Sequence, residues 1–150
     1  MVLTIVPNVS KSALIPYSAK EMYDLVADIS GYSDFLPWCG GSEIISVNGD
    51  EVRARIDLAY KGIQKSFSTI NRNQSGKMIE MRLQEGPFKH LEGFWRFESL
   101  REDASKVLLD LNYEFSGKIL QMTVGPVFNE VANRLVDSFC QRAVEVYGKR

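Results

Sequence analysis

Between residues 51 and 115 apolar and polar side chains alternate with period two, again and again. Val52, Ala54, Ile56, Leu58 and Tyr60 fall on one side of an extended chain, and Glu51, Arg53, Arg55 and Asp57 on the other. Ile79, Met81 and Leu83 alternate with Glu80 and Arg82. Leu91, Gly93, Trp95 and Phe97 alternate with Glu92, Phe94, Arg96 and Glu98, and Val107, Leu109, Leu111, Tyr113 and Phe115 with Leu108, Asp110, Asn112 and Glu114. Turn chemistry separates the runs: Asn48-Gly49-Asp50, Lys61-Gly62, Gln74-Ser75-Gly76, Gly86-Pro87 and Glu102-Asp103. Links this short predict an antiparallel meander with one buried and one solvated face.

The flanks have a different period. Asn8 to Ile15 reads as a first strand, which Pro16 ends. Ser18-Ala19-Lys20-Glu21 is a capping box, and Met22, Leu25, Val26 and Ile29 follow at helical spacing, with Ser30-Gly31 as the expected stop. Tyr32 to Cys39 predicts one helical turn and then an irregular loop, with Gly40-Gly41 as a flexible joint. Near the other end Phe128, Val131, Leu135, Phe139, Ala143 and Val146 step by three or four, a helix of about five turns or more. Gly125-Pro126 sits near its start, so either the helix begins there or a turn from Lys118 bends into it. The order is β, α, short α, six strands, long α. An α+β fold follows, in which only the long helix is large enough to cover the apolar face of the sheet. A curved sheet around one helix leaves room for a cavity between them.

Composition sharpens this by exclusion. A chain of 150 residues predicts one domain, 1–150. The net charge of −1 gives no field that would draw the protein to DNA. Two cysteines far apart, Cys39 and Cys140, have no metal-ligand spacing and suggest a reducing, cytoplasmic setting. Met1 to Pro7 has an apolar patch but neither the basic start nor the long apolar core of a secretory signal. No metal site and no catalytic constellation is expected. His90, the sole histidine, has no nucleophile or carboxylate motif beside it, and Cys39 reads as a small packing residue.

Two features remain open. Aromatics are numerous, and most read as core. Phe35-Leu36-Pro37-Trp38 and Pro87-Phe88 fall in turns, however, and read either as packing or as the rim of an apolar pocket, or a patch for transient membrane or partner contact. Residues 51–90 hold eight Lys/Arg against four Asp/Glu. Arg53, Arg55, Lys61, Lys65 and Arg72 within this stretch are either an ordinary solvated face or, if all project outward, a stripe for an RNA phosphate backbone.

Several of these stretches together resemble the coenzyme-Q-binding START proteins. The segment ending in Phe35-Leu36-Pro37-Trp38-Cys39 is similar to that family's loop after the first helix. Glu85-Gly86-Pro87-Phe88-Lys89 with Trp95-Arg96-Phe97 is similar to its central hairpin. Ser12 to Tyr23 and Phe128 to Tyr147 match its opening and its last helix. The resemblance implies a helix-grip, START-like fold, with a seven-stranded antiparallel sheet wrapped around the C-terminal helix. It implies two functions: binding of ubiquinone or another polyprenyl quinone in support of respiration, and, in a bacterial toxin branch, binding of the large ribosomal subunit so that it cannot join the small one. The wider superfamily contains polyketide cyclases, but no acid/base pair here supports catalysis. The pocket expected on these grounds is lined by Phe35, Leu36, Trp38, Phe88, Trp95, Phe97, Phe128, Val131 and Leu135. Pro126 departs from the family's pattern.

Overall fold

The computed structural model describes residues 8–150, so the reading of residues 1–7 lies outside the described part. Seven strands form one antiparallel sheet: β1 (Val9–Ile15), β2 (Cys39–Asn48), β3 (Glu51–Tyr60), β4 (Ile63–Gln74), β5 (Met78–Glu85), β6 (Phe88–Arg101) and β7 (Ala104–Phe115). Their order across the sheet is β1-β7-β6-β5-β4-β3-β2. Each consecutive pair from β2 to β7 is joined by a tight turn, and β1 closes the far side against β7. At the β3–β4 turn Lys61 and Gly62 both adopt positive φ, 50° and 80°. That is the turn geometry whose twist matches paired strands, and it fixes the register of the hairpin.

The inner face is the apolar one. Val52, Ala54 and Leu58 of β3, Leu91, Trp95 and Phe97 of β6, and Val107 to Phe115 of β7 are buried at alternate positions, as the period predicts. Register irregularities in β2–β3, β4–β5 and β6–β7 kink the strands locally and increase their twist. The long helix α3 (Gly125–Tyr147) packs on the inner face through Phe128, Val131, Ala132, Val136, Phe139 and Ala143. The Tyr113 hydroxyl of β7 donates to Asn129 Oδ1 of that helix at 2.8 Å. Helix α1 (Ala19–Ala27) begins at the capping box: Ser18 Oγ accepts from the Glu21 N–H at 3.1 Å, and Glu21 Oε1 accepts from the Ser18 N–H at 3.0 Å.

Several local expectations are corrected. Helix α1 stops at Ala27, three residues early. Ile29 and Gly31 belong to a separate 3₁₀ turn, Ile29–Asp34, in which Gly31 has no positive φ. Gly40 and Gly41 are not a joint but part of β2, at a bulge against β3. A short helix α2 (Lys118–Thr123) precedes α3, and Pro126 sits in the first turn of α3, where its missing N–H costs no helical bond. Val146, which the spacing places on the buried stripe, is 48% exposed, because the stripe drifts around the helix and ends at Ala143.

Candidate ligand cavity

Between the inner face and α3 lies a largely enclosed cavity of about 80 Å³. Ile29 and Tyr32 of the 3₁₀ turn and Trp38 close one end. Ile56, Leu58, Phe67, Thr69, Asn71, Met81, Leu91, Trp95 and Leu111 form the sheet side. Phe128, Val131, Ala132, Leu135 and Phe139 form the helix side. No carboxylate, lysine, histidine or cysteine reaches it. Among the described residues its polar side-chain atoms come from Thr69, Asn71, the indole N–H groups of Trp38 and Trp95, and the Tyr32 hydroxyl, which already donates to the Val26 carbonyl. Burial pushes the Tyr32 phenol above its ordinary pKa.

The expected pocket residues divide. Trp38, Trp95, Phe128, Val131 and Leu135 line the cavity together. Leu36, 1% exposed, is packed in the core beside it. Phe88, 5% exposed, starts β6 instead of rimming a pocket, and lies among Phe67, Tyr113, Phe115 and Phe128 at ring distances of 4.8–6.5 Å. Phe97 packs edge-on against Tyr23 and parallel to Trp95. Phe35 is half-buried. Its ring meets Phe139 at 5.3 Å and is covered by the Arg142 guanidinium at 4.9 Å. The loop aromatics are therefore folded inward, because the 3₁₀ turn carries the chain back under α3.

Trp38 and Val131 have a second position. They also line an outer groove of about 360 Å³ with Phe35, Pro37, Tyr60 and charged side chains of α3. These two residues are the partition between cavity and solvent. A larger depression, about 690 Å³, lies between the β3–β4 turn and α2, but it is open and shares no residue with the cavity.

The sequence did not single out Ile29, Tyr32, Phe67, Thr69, Asn71, Ala132 or Phe139 as site residues. For β4 the usable signal was the Lys61-Gly62 turn. Counted from it, the register pairs Phe67, Thr69 and Asn71 with Ile56, Ala54 and Val52 on the inner face.

The basic stripe is not continuous. Arg53, Arg55 and Arg72 share the outer face, but Lys65 pairs with Leu58 and so belongs to the opposite face, at its exposed margin. Lys61 is in the turn and contacts Glu130 of α3 at 2.8 Å, which raises the lysine's pKa and lowers the glutamate's. Arg55 contacts Glu43 at 2.6 Å and Asp57 at 3.2 Å, and Arg82 contacts Glu80 at 3.0 Å. The linear charge count missed Glu43 and Glu130, which come from outside residues 51–90.

Neither thiol is activated. Cys39 is buried and Cys140 half-buried, and burial raises both, Cys140 to about 11. His90 lies on β6, 3.9 Å from Glu92 and away from the cavity. Among the described residues no cluster of His, Cys, Asp or Glu could hold a metal ion, and no helix is long and apolar enough to cross a membrane.

A sheet gripping one long helix around an apolar cavity defines the START-like class of ligand-binding folds. Residues 15–140 match the family described as polyketide cyclase / dehydrase and lipid transport, and the chain belongs to that family. It is 41% identical over 141 residues to a Pseudomonas aeruginosa protein named ribosome association toxin RatA, covering 94% of this chain and 98% of that one. It is 28% identical to the Xenopus laevis mitochondrial coenzyme Q-binding protein COQ10 homolog B, over 94% of this chain and 59% of that protein. In three dimensions it is similar to the ZhuI aromatase/cyclase from Streptomyces sp. R1128, with a TM-score of 0.80 at 16% identity over 95% and 98% of the two chains. At that identity the likeness concerns the fold alone.

Proposed function

We propose that this chain is a non-catalytic binder of an apolar ligand of the polyprenyl quinone type, held between the sheet and α3, and that it acts in support of respiration. The observation that carries this reading is the cavity: mostly apolar, lined by no carboxylate, lysine, histidine or cysteine among the described residues, and parted from the outer groove by Trp38 and Val131. The relative named for coenzyme Q binding supports the ligand class, and two unactivated thiols fit a reducing cytoplasm. Each buried methylene contributes about 0.8 kcal/mol, so a few isoprene units bind tightly without a charged anchor.

Size sets a condition. Ligand sites usually enclose about 300–1,000 Å³, and this cavity is far smaller. Binding therefore requires dilation. Ile56, Phe67, Met81 and Leu135, all only half-buried, are the side chains with room to move. The test is extraction of the protein from a quinone-containing host followed by mass spectrometry, with uptake of added two-isoprene ubiquinone as a second measurement. A quinone in the extract, or saturable uptake, is the expected result. A protein that is empty and takes up none overturns the reading.

A second reading, association with the large ribosomal subunit in the manner of RatA, is favoured by 41% identity to a protein of that name over nearly the whole chain. Co-sedimentation with purified large subunits tests it. The two are compatible, since one uses the inner cavity and the other an outer surface.

A further inference from the structure

We propose that Asn71 is the polar anchor of the cavity and that the ligand it selects carries a hydroxyl group of the phenol or quinol type. The inference rests on the cavity being a ligand site. Asn71 is 4% exposed and faces the cavity from the middle of β4, yet its Oδ1 has no hydrogen-bond donor within reach. Asparagine is depleted in strands, and a buried acceptor left unpaired is destabilising, so a residue of this kind at a core position calls for a partner.

Among the described residues none is in place, although the Thr69 hydroxyl and the indole N–H groups of Trp38 and Trp95 line the same cavity. Across the sheet its rung neighbours are Val52 on β3 and Met81 on β5. The helix opposite offers apolar side chains, and the Tyr32 hydroxyl is committed to the Val26 carbonyl. One rung position further, Gly93 clears space: a Cβ there would stand 2.7 Å from Met81 Cε and 2.8 Å from Leu111 Cδ1. Met81 thus lies over Gly93, on the side away from Asn71; the amide oxygen itself is covered in the ligand-free fold, so a ligand meets it only on the dilation that binding requires. A buried acceptor oxygen without a partner selects a donor, and a hydroxyl on an otherwise apolar ligand is the group that fits. Thr69, two residues back on the same face, places a second hydroxyl-bearing side chain beside it.

The experiment compares two probes, 4-butylphenol and butylbenzene, by calorimetric titration of the wild-type protein and of Asn71→Leu and Asn71→Ala, with butyrophenone titrated into the wild type as a control. Because the probes differ by one hydroxyl, the ratio of their affinities isolates the contact. The expected result is that the phenol's advantage falls about tenfold in both variants, the size of one neutral hydrogen bond in a dry site, while butylbenzene binding is kept. An unchanged ratio overturns the role of Asn71 and leaves the cavity reading standing. Failure of both probes to bind the wild type overturns the cavity reading itself. A wild-type preference for butyrophenone over the phenol overturns the hydroxyl, because it would turn the amide Nδ2 toward a carbonyl.

Discussion

The two faces of the sheet are made by the same strands in the same register, yet they hold to different standards. On the inner face Val52, Asn71, Met81, Gly93 and Leu111 form one rung, and each side chain has a shape its neighbours depend on. On the outer face Glu51, Arg72, Glu80, Phe94 and Asp110 form the adjacent rung, where charges of opposite sign stand side by side in solvent. Packing errors inside leave voids that water does not fill, whereas a lost ion pair outside is replaced by water and salt. The inner face should therefore respond to single substitutions and the outer face only to several at once.

The largest effect is expected at Trp38, which stands in the turn before β2 and closes one end of the space under the inner face. At 8% exposure it is core, and Trp38→Ala should cost about 3–5 kcal/mol in denaturant unfolding. Because Trp38 also partitions the cavity from the outer groove, the same variant should exchange ligand faster. A loss of stability with unchanged exchange would show that ligand enters elsewhere.

Asn71→Leu should act in the opposite direction. Removing an unpaired buried acceptor and filling its place with an apolar group of similar volume should stabilise the ligand-free protein by about 1–3 kcal/mol, read as a raised Tm. If the variant is destabilised, the inner face already satisfies Asn71 in the native state and the comparison with Trp38 loses its sharpest contrast.

What the sequence made legible follows the same division. Period two gave β3, β5, β6 and β7 and their buried faces, because those strands alternate cleanly. Strand β4 was legible only from the turns that bound it, Lys61-Gly62 and Gln74-Ser75-Gly76: Phe67, Thr69 and Asn71 mix polar with apolar on the inner face, and the mixture hides the period. That mixture is also where the polar part of the cavity resides. The loop aromatics left two readings open, packing or a rim, and the fold divides them: a 3₁₀ turn and a strand start carry Leu36 and Phe88 into the core, while Trp38 closes the cavity beside the outer groove. Ion pairs such as Arg55–Glu43 and Lys61–Glu130 join segments 12 and 69 residues apart, a separation that no local pattern encodes.

A smaller effect is expected where charge meets the core margin. Glu21 accepts two hydrogen bonds from Arg150, at 2.8 and 2.9 Å, and one from the Ser18 N–H. Chiefly through the Arg150 bonds and then the Ser18 bond, its pKa is lowered from 4.5 to about 2. A carboxylate held low in the folded state stabilises the fold above its unfolded pKa, and that contribution is lost as pH falls from about 4.5 toward 2. Glu21→Gln should flatten the stability curve across that window in acid titrations followed by circular dichroism. The change should be less than that of Asn71→Leu, since both partners reach solvent and screening weakens them. An unaltered acid limb would mean that the pair forms only transiently.

The smallest effect on the fold belongs to the outer face itself. Arg53, Arg55 and Arg72 are arranged among Glu43, Glu51, Asp57 and Glu80, so reversing one arginine should change stability by no more than about 0.5 kcal/mol. Arg53→Glu, Arg55→Glu and Arg72→Glu combined should still fold, and should take up two-isoprene ubiquinone as the wild type does, because none of the three lines the cavity. If this face is what meets ribosomal RNA, the triple variant loses co-sedimentation with the large subunit. Each phosphate contact contributes about 0.7–0.9 to the salt slope of binding. The interleaved carboxylates keep that number small, so the wild-type slope should stay shallow, near three contacts or fewer. A steep slope that survives the triple reversal would move the ribosomal surface away from the sheet, with the β3–β4 turn and α2, where Lys61, Lys65 and Lys118 lie, as the next place to reverse charge.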